Sequence, residues 1–294
     1  MSVRTEARTE AHGGERYRDR ASQVPRRTAS LRAAYVLSAG IAALMMAASV
    51  AGLLVNGLYP DGAWAREAFR AADLVTLVLA APLLIASLVL SSRGSRPAQV
   101  VWIAMLGYAL YNYAYAVFGA KFNDVFLAHI AIFSMSIFAL ACTLPNLDLR
   151  VGARVRTWKR LRWIGGFLIL VGLGQGGLWA FLLMRFAFTG ELLNDIPVAG
   201  QHLVFALDLS LLVPALVVAG ILLYRRTAAG FFMGSAVAVF GAVYQVNLNM
   251  AAVFGEMAGV PGVKAFPLEG IIFVAAFALV AVVLMRSQQR ANVA

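Results

Sequence analysis

Charged side chains are scarce in this sequence. Asp, Glu, Lys and Arg make up 13% of its 294 residues, whereas they make up about a quarter of a typical soluble domain. Hydrophobic residues reach 61%. A soluble domain of this length would carry more charge on its exterior. The composition therefore indicates a protein whose exterior faces lipid.

Cysteine and histidine are also nearly absent, and common catalytic motifs are missing. The single Cys142 excludes an intrachain disulfide and any two-cysteine redox or metal motif. No HExxH, GxSxG, Walker glycine loop or kinase signature occurs, which argues against ATP-driven transport by this chain alone. His129 and His202 leave a bis-His haem open as an alternative. Nothing in the sequence requires a haem or a metal ion, and we expect no cofactor.

Long apolar runs dominate what the sequence does contain. Eight runs are long enough to cross about 30 Å of hydrocarbon, which takes about 20 residues of helix. Lipid offers no partner to backbone N–H and C=O groups, so helices are expected rather than open strands, and the lack of strict alternation argues against a barrel. The predicted spans are residues 33–56, 73–91, 98–118, 124–144, 161–187, 202–224, 228–254 and 266–285.

The net charge of +11 is distributed according to this topology. Twenty of the 25 Lys and Arg residues fall on one side, in the stretches 1–32, 93–96, 150–162, 225–226 and 286–290. Most Asp and Glu residues of the apolar part lie on the other side or in the helix halves nearest to it. Because cytoplasmic loops carry the excess of Lys and Arg, both termini are predicted to be cytoplasmic. The predicted location is the cell membrane.

Two basic segments lie outside the spans. Residues 1–32 contain almost no apolar side chains, and we interpret them as a disordered cytoplasmic tail. Residues 145–160 form a predicted cytoplasmic connector, which anionic lipid headgroups would attract by about 1 kcal/mol per basic residue near the surface. The partners predicted from these segments are the bilayer and its anionic headgroups, and not nucleic acid.

The apolar part contains an internal similarity. One segment runs from Asp73 to the VFG at 117–119, and a second runs from Asp208 to the VFG at 253–255, so Asp and closing Gly are 46 positions apart in the first and 47 in the second. This spacing predicts two tandem four-helix copies in one orientation, residues 33–144 and 161–294. Chance similarity between apolar segments is the competing explanation.

A polar face is predicted in the third and seventh spans. In the third, four side chains recur at i, i+3, i+4 and i+7, which places them on one side of a helix. Hydrogen bonding between helices accounts for a single Asn or Gln in lipid as well as a binding site does, but less well for so many. The candidate residues are Tyr108, Tyr111, Asn112, Tyr115, Tyr244, Asn247 and Asn249.

Four ionisable residues lie in or near the spans: Asp73, Asp208, His129 and Glu269. A charge at the centre of a helix costs at least about 2.5 kcal/mol on insertion scales and often marks a site. Asp73 and Glu269 also fit the first turns of helices, where the dipole favours a carboxylate, and His129 fits a structural hydrogen bond. Asp208 lies deeper in its apolar run.

Asp208 gives the most specific structural expectation. Its carboxylate should face the interior of the bundle, because lipid would leave its desolvation uncompensated. The expected partners are amides of the seventh span, Asn247 or Asn249. Glycines at 172 and 176 predict a close helix crossing, and Gln175 between them fits either the lining of a cavity or a hydrogen bond to a neighbouring helix. Pro82 and Pro214 predict kinks near the middle of the second and sixth spans.

Three functions remain open from the sequence. The first is binding or transport of a small polar or cationic solute through an outward-facing cavity, because carboxylates occur beside amides and tyrosines. The second is a membrane-embedded enzyme acting on a lipid or lipid-linked substrate, with an acidic residue and His129 as acid and base. The third is a structural or partner-binding subunit. The shape and lining of the largest cavity would discriminate between them.

Overall fold

The computed structural model of the protein describes residues 3–147, 160–191, 198–265 and 267–293. Its side chains are described over 29–147, 160–191, 201–265 and 267–287. Most of the predicted connector 145–160 lies outside these residues. Nearly all side chains of the predicted tail 1–32 also lie outside them. Both assignments stay predictions.

Within the described residues the secondary structure is entirely helical. Eight of the helices there are long and apolar enough to cross a membrane. The prediction of eight helices able to span a membrane is confirmed, and these helices fit a multi-pass membrane protein. In chain order, spans 1 to 8 are Ala29–Leu54, Ala63–Ser92, Arg96–Gly119, Phe126–Asn146, Arg160–Thr189, Gln201–Tyr224, Ala228–Met257 and Leu268–Ser287.

Most spans are uninterrupted α-helices. The helices that contain spans 1, 3, 5, 7 and 8 are Val3–Leu54, Arg96–Gly119, Arg160–Thr189, Ala228–Met257 and Leu268–Val293. The helix of span 1 thus begins well before residue 32, where the sequence predicted the tail to end. Span 4 is the helix Phe126–Thr143 followed by a 3-10 turn, Leu144–Asn146.

Spans 2 and 6 are interrupted by a wider helical turn. Span 2 consists of Ala63–Val75, a π-helical segment Thr76–Ala80, and Ala81–Ser92. The helix of span 6 consists of Val198–Leu207, a π-helical segment Asp208–Leu212, and Val213–Tyr224. Pro82 and Pro214 are the second residues after these segments. Proline has no N–H and crowds the carbonyl four residues earlier, so the wider turn accommodates it.

Span 2 begins at Ala63 rather than at the predicted residue 73. The prediction was wrong because it began the span at the continuous apolar run, which follows three charged residues. Glu67 instead accepts hydrogen bonds from Arg66 Nε at 3.1 Å and from Arg70 Nη1 at 3.3 Å. Glu67 pairs with both arginines, and the helix extends through all three charged residues.

Spans 3 and 7 form the centre of the bundle. Buried residues make up 67% of the apolar window of span 3 and 61% of that of span 7, against 39% or less in each other span. Span 7 packs on spans 2, 3, 6 and 8, and span 3 packs on spans 2, 4 and 7. The polar residues of spans 3 and 7 therefore face protein rather than lipid.

Spans 5 and 6 pack closely along a row of glycines. A Cβ at Gly172 would lie 3.0 Å from the Leu216 Cβ, and a Cβ at Gly176 would lie 3.0 Å from a Val213 methyl. The predicted close crossing at these two glycines is confirmed. The tightest approach is at Gly165, where a Cβ would lie 2.6 Å from the backbone nitrogen of Tyr224.

We expect Gly165→Ala to destabilise the protein by about 1–3 kcal/mol, the usual cost of overpacking. The new methyl group would meet backbone atoms of span 6, which cannot move aside as a flexible side chain can. The measurement is the thermal midpoint of the purified protein in detergent. Gly166→Ala is the matched control, because a Cβ there meets nothing within 4 Å. Equal midpoints for the two variants would contradict the close packing.

Candidate functional site

A group of buried polar contacts is centred on Asp208. This residue opens the π-helical segment of span 6 and is 1% exposed. Its carboxylate accepts four hydrogen bonds from three other spans. We refer to the carboxylate and its four donors, Tyr111, Gln175, Trp179 and Tyr244, as the Asp208 cluster.

The donors divide evenly between the two carboxylate oxygens. Oδ1 accepts from the Tyr111 hydroxyl at 2.5 Å and from the Tyr244 hydroxyl at 3.4 Å, and the two hydroxyls are 3.1 Å apart. Oδ2 accepts from Gln175 Nε2 and from Trp179 Nε1, both at 2.8 Å. An ionised carboxylate has about four acceptor positions. The cluster therefore suits the charged form of Asp208.

No positive charge balances this carboxylate among the described residues. All four of its hydrogen-bond partners are neutral groups, and it forms no ion pair with a described Lys, Arg or His side chain. Hydrogen bonds from neutral donors stabilise a buried anion, but they do not cancel its net charge. An ionised Asp208 would thus present a negative charge to whatever occupies the space beside it.

A cavity of about 220 Å³ lies against the cluster. Spans 2, 3, 5, 6 and 7 all contribute to its wall, and aromatic and amide side chains dominate the polar part of that wall. Trp179, which donates to Asp208, also stacks on Phe205 with ring centroids 4.4 Å apart, so its indole is held in place. The lining residues include Trp64, Tyr111, Asn112, Tyr115, Gln175, Trp179, Asp208, Tyr244 and Asn247.

One amide in the cavity wall has an unused acceptor. Asn247 is 9% exposed, and its Nδ2 donates to Asn112 Oδ1 at 3.4 Å. Its own Oδ1 is buried and accepts no hydrogen bond from any described residue. A buried acceptor without a donor is costly, by about 1–3 kcal/mol. Asn247 thus lines the cavity with the hydrogen-bonding capacity of its Oδ1 unused.

Six of the predicted site residues come together at this cavity: Asp208, Tyr111, Asn112, Tyr115, Tyr244 and Asn247. The prediction that Asn247 or Asn249 would be the partner of Asp208 was wrong. The seventh span contacts the carboxylate through Tyr244, whereas Asn247 pairs with Asn112 and Asn249 donates to the backbone carbonyl of Gln245 at 2.8 Å. The helix of span 7 turns a tyrosine rather than an amide toward span 6.

The other candidates lie elsewhere. Tyr108 does not line the cavity, and its hydroxyl is 3.2 Å from Thr76 Oγ1. The buried His129 packs against the Tyr113 ring, with centroids 5.5 Å apart, and its Nδ1 has no partner among the described residues. Glu269 is exposed at the start of span 8. The pairing of His129 with an acidic residue at the cavity, on which the enzyme hypothesis depends, is not formed.

Asp73 occupies a different environment from Asp208. Its Oδ2 accepts from the Tyr59 hydroxyl at 2.7 Å, and it packs so closely on span 1 that a Cβ at Gly52 would collide with it. Burial, and next the charge of Asp73, raise the pKa of the Tyr59 hydroxyl in the 55–62 loop, which keeps it a donor. Asp208 opens a π-helical segment, whereas Asp73 precedes one by three residues, so the two carboxylates do not occupy equivalent places.

Sequence reasoning missed two aromatic residues of the site. Trp179 lies one helical turn after Gln175, so both donors project from the same side of span 5. Trp64 lies between the first two predicted spans, because span 2 was predicted to begin at residue 73. Gln175 both lines the cavity and donates to Asp208.

The chain offers no recognisable metal centre in its described part. No group of three or more His, Cys, Asp or Glu side chains there is arranged to hold a metal ion. Comparison of the chain with protein-family models, with curated proteins and with solved structures found no match. The Asp208 cluster and its cavity are therefore the features of the described residues that bear most directly on function.

Proposed function

We propose that this protein binds a small cationic solute bearing N–H groups in the cavity beside Asp208. The observation that carries the proposal is a buried carboxylate, held by four neutral donors, which forms no ion pair within the described residues. A cation in the cavity would balance that charge at a place where water screens it poorly.

The lining of the cavity supports a cation in a second way. Trp64, Trp179, Tyr111, Tyr115 and Tyr244 all contribute to the wall. The face of an aromatic ring attracts a cation, by about 0.5–1 kcal/mol at exposed sites and about 2 kcal/mol when the cation is desolvated. Carboxylate and aromatic rings together favour an ammonium group over a neutral or anionic one.

The volume of the cavity and the unused acceptor of Asn247 narrow the range of possible solutes further. A volume of about 220 Å³ equals the share of roughly seven water molecules in the liquid. The solute is therefore small, on the scale of a simple primary ammonium ion. The Asn247 Oδ1 atom lacks a donor among the described residues, so an N–H on the solute would satisfy it. A quaternary ammonium ion would supply the charge without this hydrogen bond.

Transport is the role we assign to this binding. We place both termini in the cytoplasm and the cavity towards the outer side, because Lys and Arg are unevenly distributed between the two sides.

Two tandem four-helix copies remain part of the proposal. Two similarities support them. Spans 2 and 6 each contain a π-helical segment with a proline two residues beyond it, and three residues separate each of these two spans from the next helix.

The binding test uses the purified full-length chain in detergent, titrated calorimetrically with four compounds. Methylammonium supplies charge and donors, tetramethylammonium supplies charge alone, formamide supplies donors alone, and acetate supplies the opposite charge. We expect saturable binding of methylammonium and affinity for tetramethylammonium lower by about 10-fold, the equivalent of one hydrogen bond to a neutral acceptor. Formamide and acetate should not bind measurably.

Transport is measured separately with proteoliposomes and labelled methylammonium. Uptake above that of protein-free liposomes, reduced by excess unlabelled methylammonium, is the expected result. Methylammonium binding without uptake would mean that the protein binds the solute but does not transport it. Equal responses to methylammonium and formamide would show that charge is not recognised, and the proposal would then be wrong.

A further inference from the structure

A second and larger pocket lies at the end of the bundle where spans 1 and 2 are joined. Its volume is about 540 Å³, within the range of about 300–1,000 Å³ that is usual for small-molecule sites. The 55–62 loop forms one side of it and the first turns of span 2 form the other. Its charged lining residues are Asp61, Arg66, Glu67 and Arg70.

The span 2 side of the pocket is basic. Arg66 and Arg70 are four positions apart and so lie on the same side of the helix. Each uses one N–H group on Glu67, whose side chain is 8% exposed, and each guanidinium has five N–H donors. The two arginine side chains are 41% and 40% exposed. Their remaining donors are therefore accessible to a carboxylate or phosphate group.

Further contacts fix this basic side in place. The buried Glu67 carboxylate bridges both guanidinium groups. Arg70 also lies over the ring of Phe254 in span 7, 5.9 Å from its centroid. A preorganised pair of guanidinium groups loses less freedom when it binds an anionic group than two unrestrained side chains would.

The loop side of the pocket is acidic. Asp61 is 9% exposed, and its Oδ1 accepts from the backbone N–H of Lys121 at 3.1 Å, which joins the 55–62 loop to the loop after span 3. Its Oδ2 is buried and accepts no hydrogen bond from the described residues. An unpartnered carboxylate oxygen is a strong acceptor, and an ammonium group with its three N–H donors suits it.

The charges that line the pocket sum to zero, because the two guanidinium groups match the carboxylates of Glu67 and Asp61. They are nevertheless separated, with free donors on one side and a free acceptor on the other. We infer that this pocket binds a zwitterion, with its acidic group on Arg66 and Arg70 and its ammonium group on Asp61. A free amino compound and a phospholipid headgroup such as phosphoethanolamine both have this chemistry.

This pocket is separate from the Asp208 cavity. Trp64, Ala68 and Ala72 of span 2 line the Asp208 cavity, whereas Arg66 and Arg70 line the zwitterion pocket. Two positions along an α-helix correspond to a rotation of about 200°, so the same helix presents opposite sides to the two spaces. The inference does not depend on the solute proposed for the cavity.

The test titrates the full-length protein in detergent with O-phosphoethanolamine, inorganic phosphate and ethylammonium. We expect O-phosphoethanolamine to bind at least about 10-fold more tightly than either fragment, since only the zwitterion engages both sides. Arg66→Gln and Asp61→Asn should each weaken that binding about 10-fold or more. Both variants leave Arg70 paired with Glu67. Arg185→Gln, which changes an arginine of span 5 outside the pocket, is the matched control.

The lipid arm uses nanodiscs of phosphatidylcholine that contain either phosphatidylethanolamine or phosphatidylglycerol, with bound lipid identified by native mass spectrometry. Retention of phosphatidylethanolamine alone, lost in Asp61→Asn and kept in Arg185→Gln, identifies a headgroup as the occupant. Binding of O-phosphoethanolamine without lipid retention identifies a free solute. Phosphate binding as tightly as O-phosphoethanolamine, or no binding in either arm, overturns the inference.

Discussion

Asp208→Asn is expected to lower the affinity for methylammonium about 100-fold, the equivalent of losing one charge-assisted hydrogen bond of about 1.5–3 kcal/mol. The substitution removes the negative charge that faces the cavity and keeps the size of the side chain. The measurement is the same calorimetric titration as for the wild-type protein, together with the thermal midpoint of each. The midpoint should stay close to the wild-type value.

The fold should tolerate this substitution because the four donors are not alike. Gln175 Nε2 and Trp179 Nε1 only donate, so the amide oxygen of the substituted side chain must face them. Its amide nitrogen then faces Tyr111 and Tyr244, whose hydroxyl groups accept as well as donate. Rotation of the two hydroxyl groups then restores all four hydrogen bonds of residue 208 itself. The expected loss of affinity thus comes from the removed charge and not from altered packing.

Asp73→Asn is the matched control for this experiment. It makes the same chemical change at a buried carboxylate that does not line the cavity and whose Oδ2 accepts from Tyr59. Its affinity for methylammonium should equal that of the wild-type protein. Retained affinity in Asp208→Asn, or an equal loss in Asp73→Asn, would remove Asp208 from the proposed binding site.

Asp208→Leu is expected to destabilise the protein by about 2–6 kcal/mol, from two stranded donors at about 1–3 kcal/mol each. Leucine offers no acceptor, so the N–H groups of Gln175 and Trp179 lose their partner inside the bundle. The hydroxyls of Tyr111 and Tyr244 are 3.1 Å apart and can bond each other, so they add less. The yield of folded protein and its thermal midpoint should both fall sharply.

A double-mutant cycle separates this cause from a simple change of shape. Trp179→Phe removes one of the two stranded donors and keeps an aromatic ring against Phe205. If the cost of Asp208→Leu comes from unsatisfied donors, the double variant should be more stable than the sum of the single changes predicts, by about 1–3 kcal/mol. Additive effects would mean that the hydrogen bond between Trp179 and Asp208 contributes nothing measurable.

The sequence predicted well which side of span 3 faces the cavity. Tyr111, Asn112 and Tyr115 follow from helical spacing alone, because residues three and four apart share a side of a helix. Asp208 follows from the cost of a carboxylate in lipid, which forces it inward. Properties of one helix were thus accessible from its own residues.

The partners between helices were not accessible in the same way. Whether Tyr244 or Asn247 reaches Asp208 depends on how span 7 is rotated relative to span 6, and packing across the bundle determines that rotation. Helical spacing also failed for Tyr108, which bonds Thr76 instead of lining the cavity. The two π-helical segments also shift the directions of the side chains that follow them. Residue spacing in a regular α-helix does not account for that shift.

The origin of the four donors also bears on how the chain is made. Synthesis proceeds from the N-terminus, so spans 3 and 5 are complete before span 6 leaves the ribosome. Tyr111, Gln175 and Trp179 therefore already exist when the Asp208 carboxylate must enter the bilayer, and only Tyr244 follows. The least lipid-compatible residue of the cluster is therefore synthesised after three of its four hydrogen-bond partners, which are already available when it enters the bilayer.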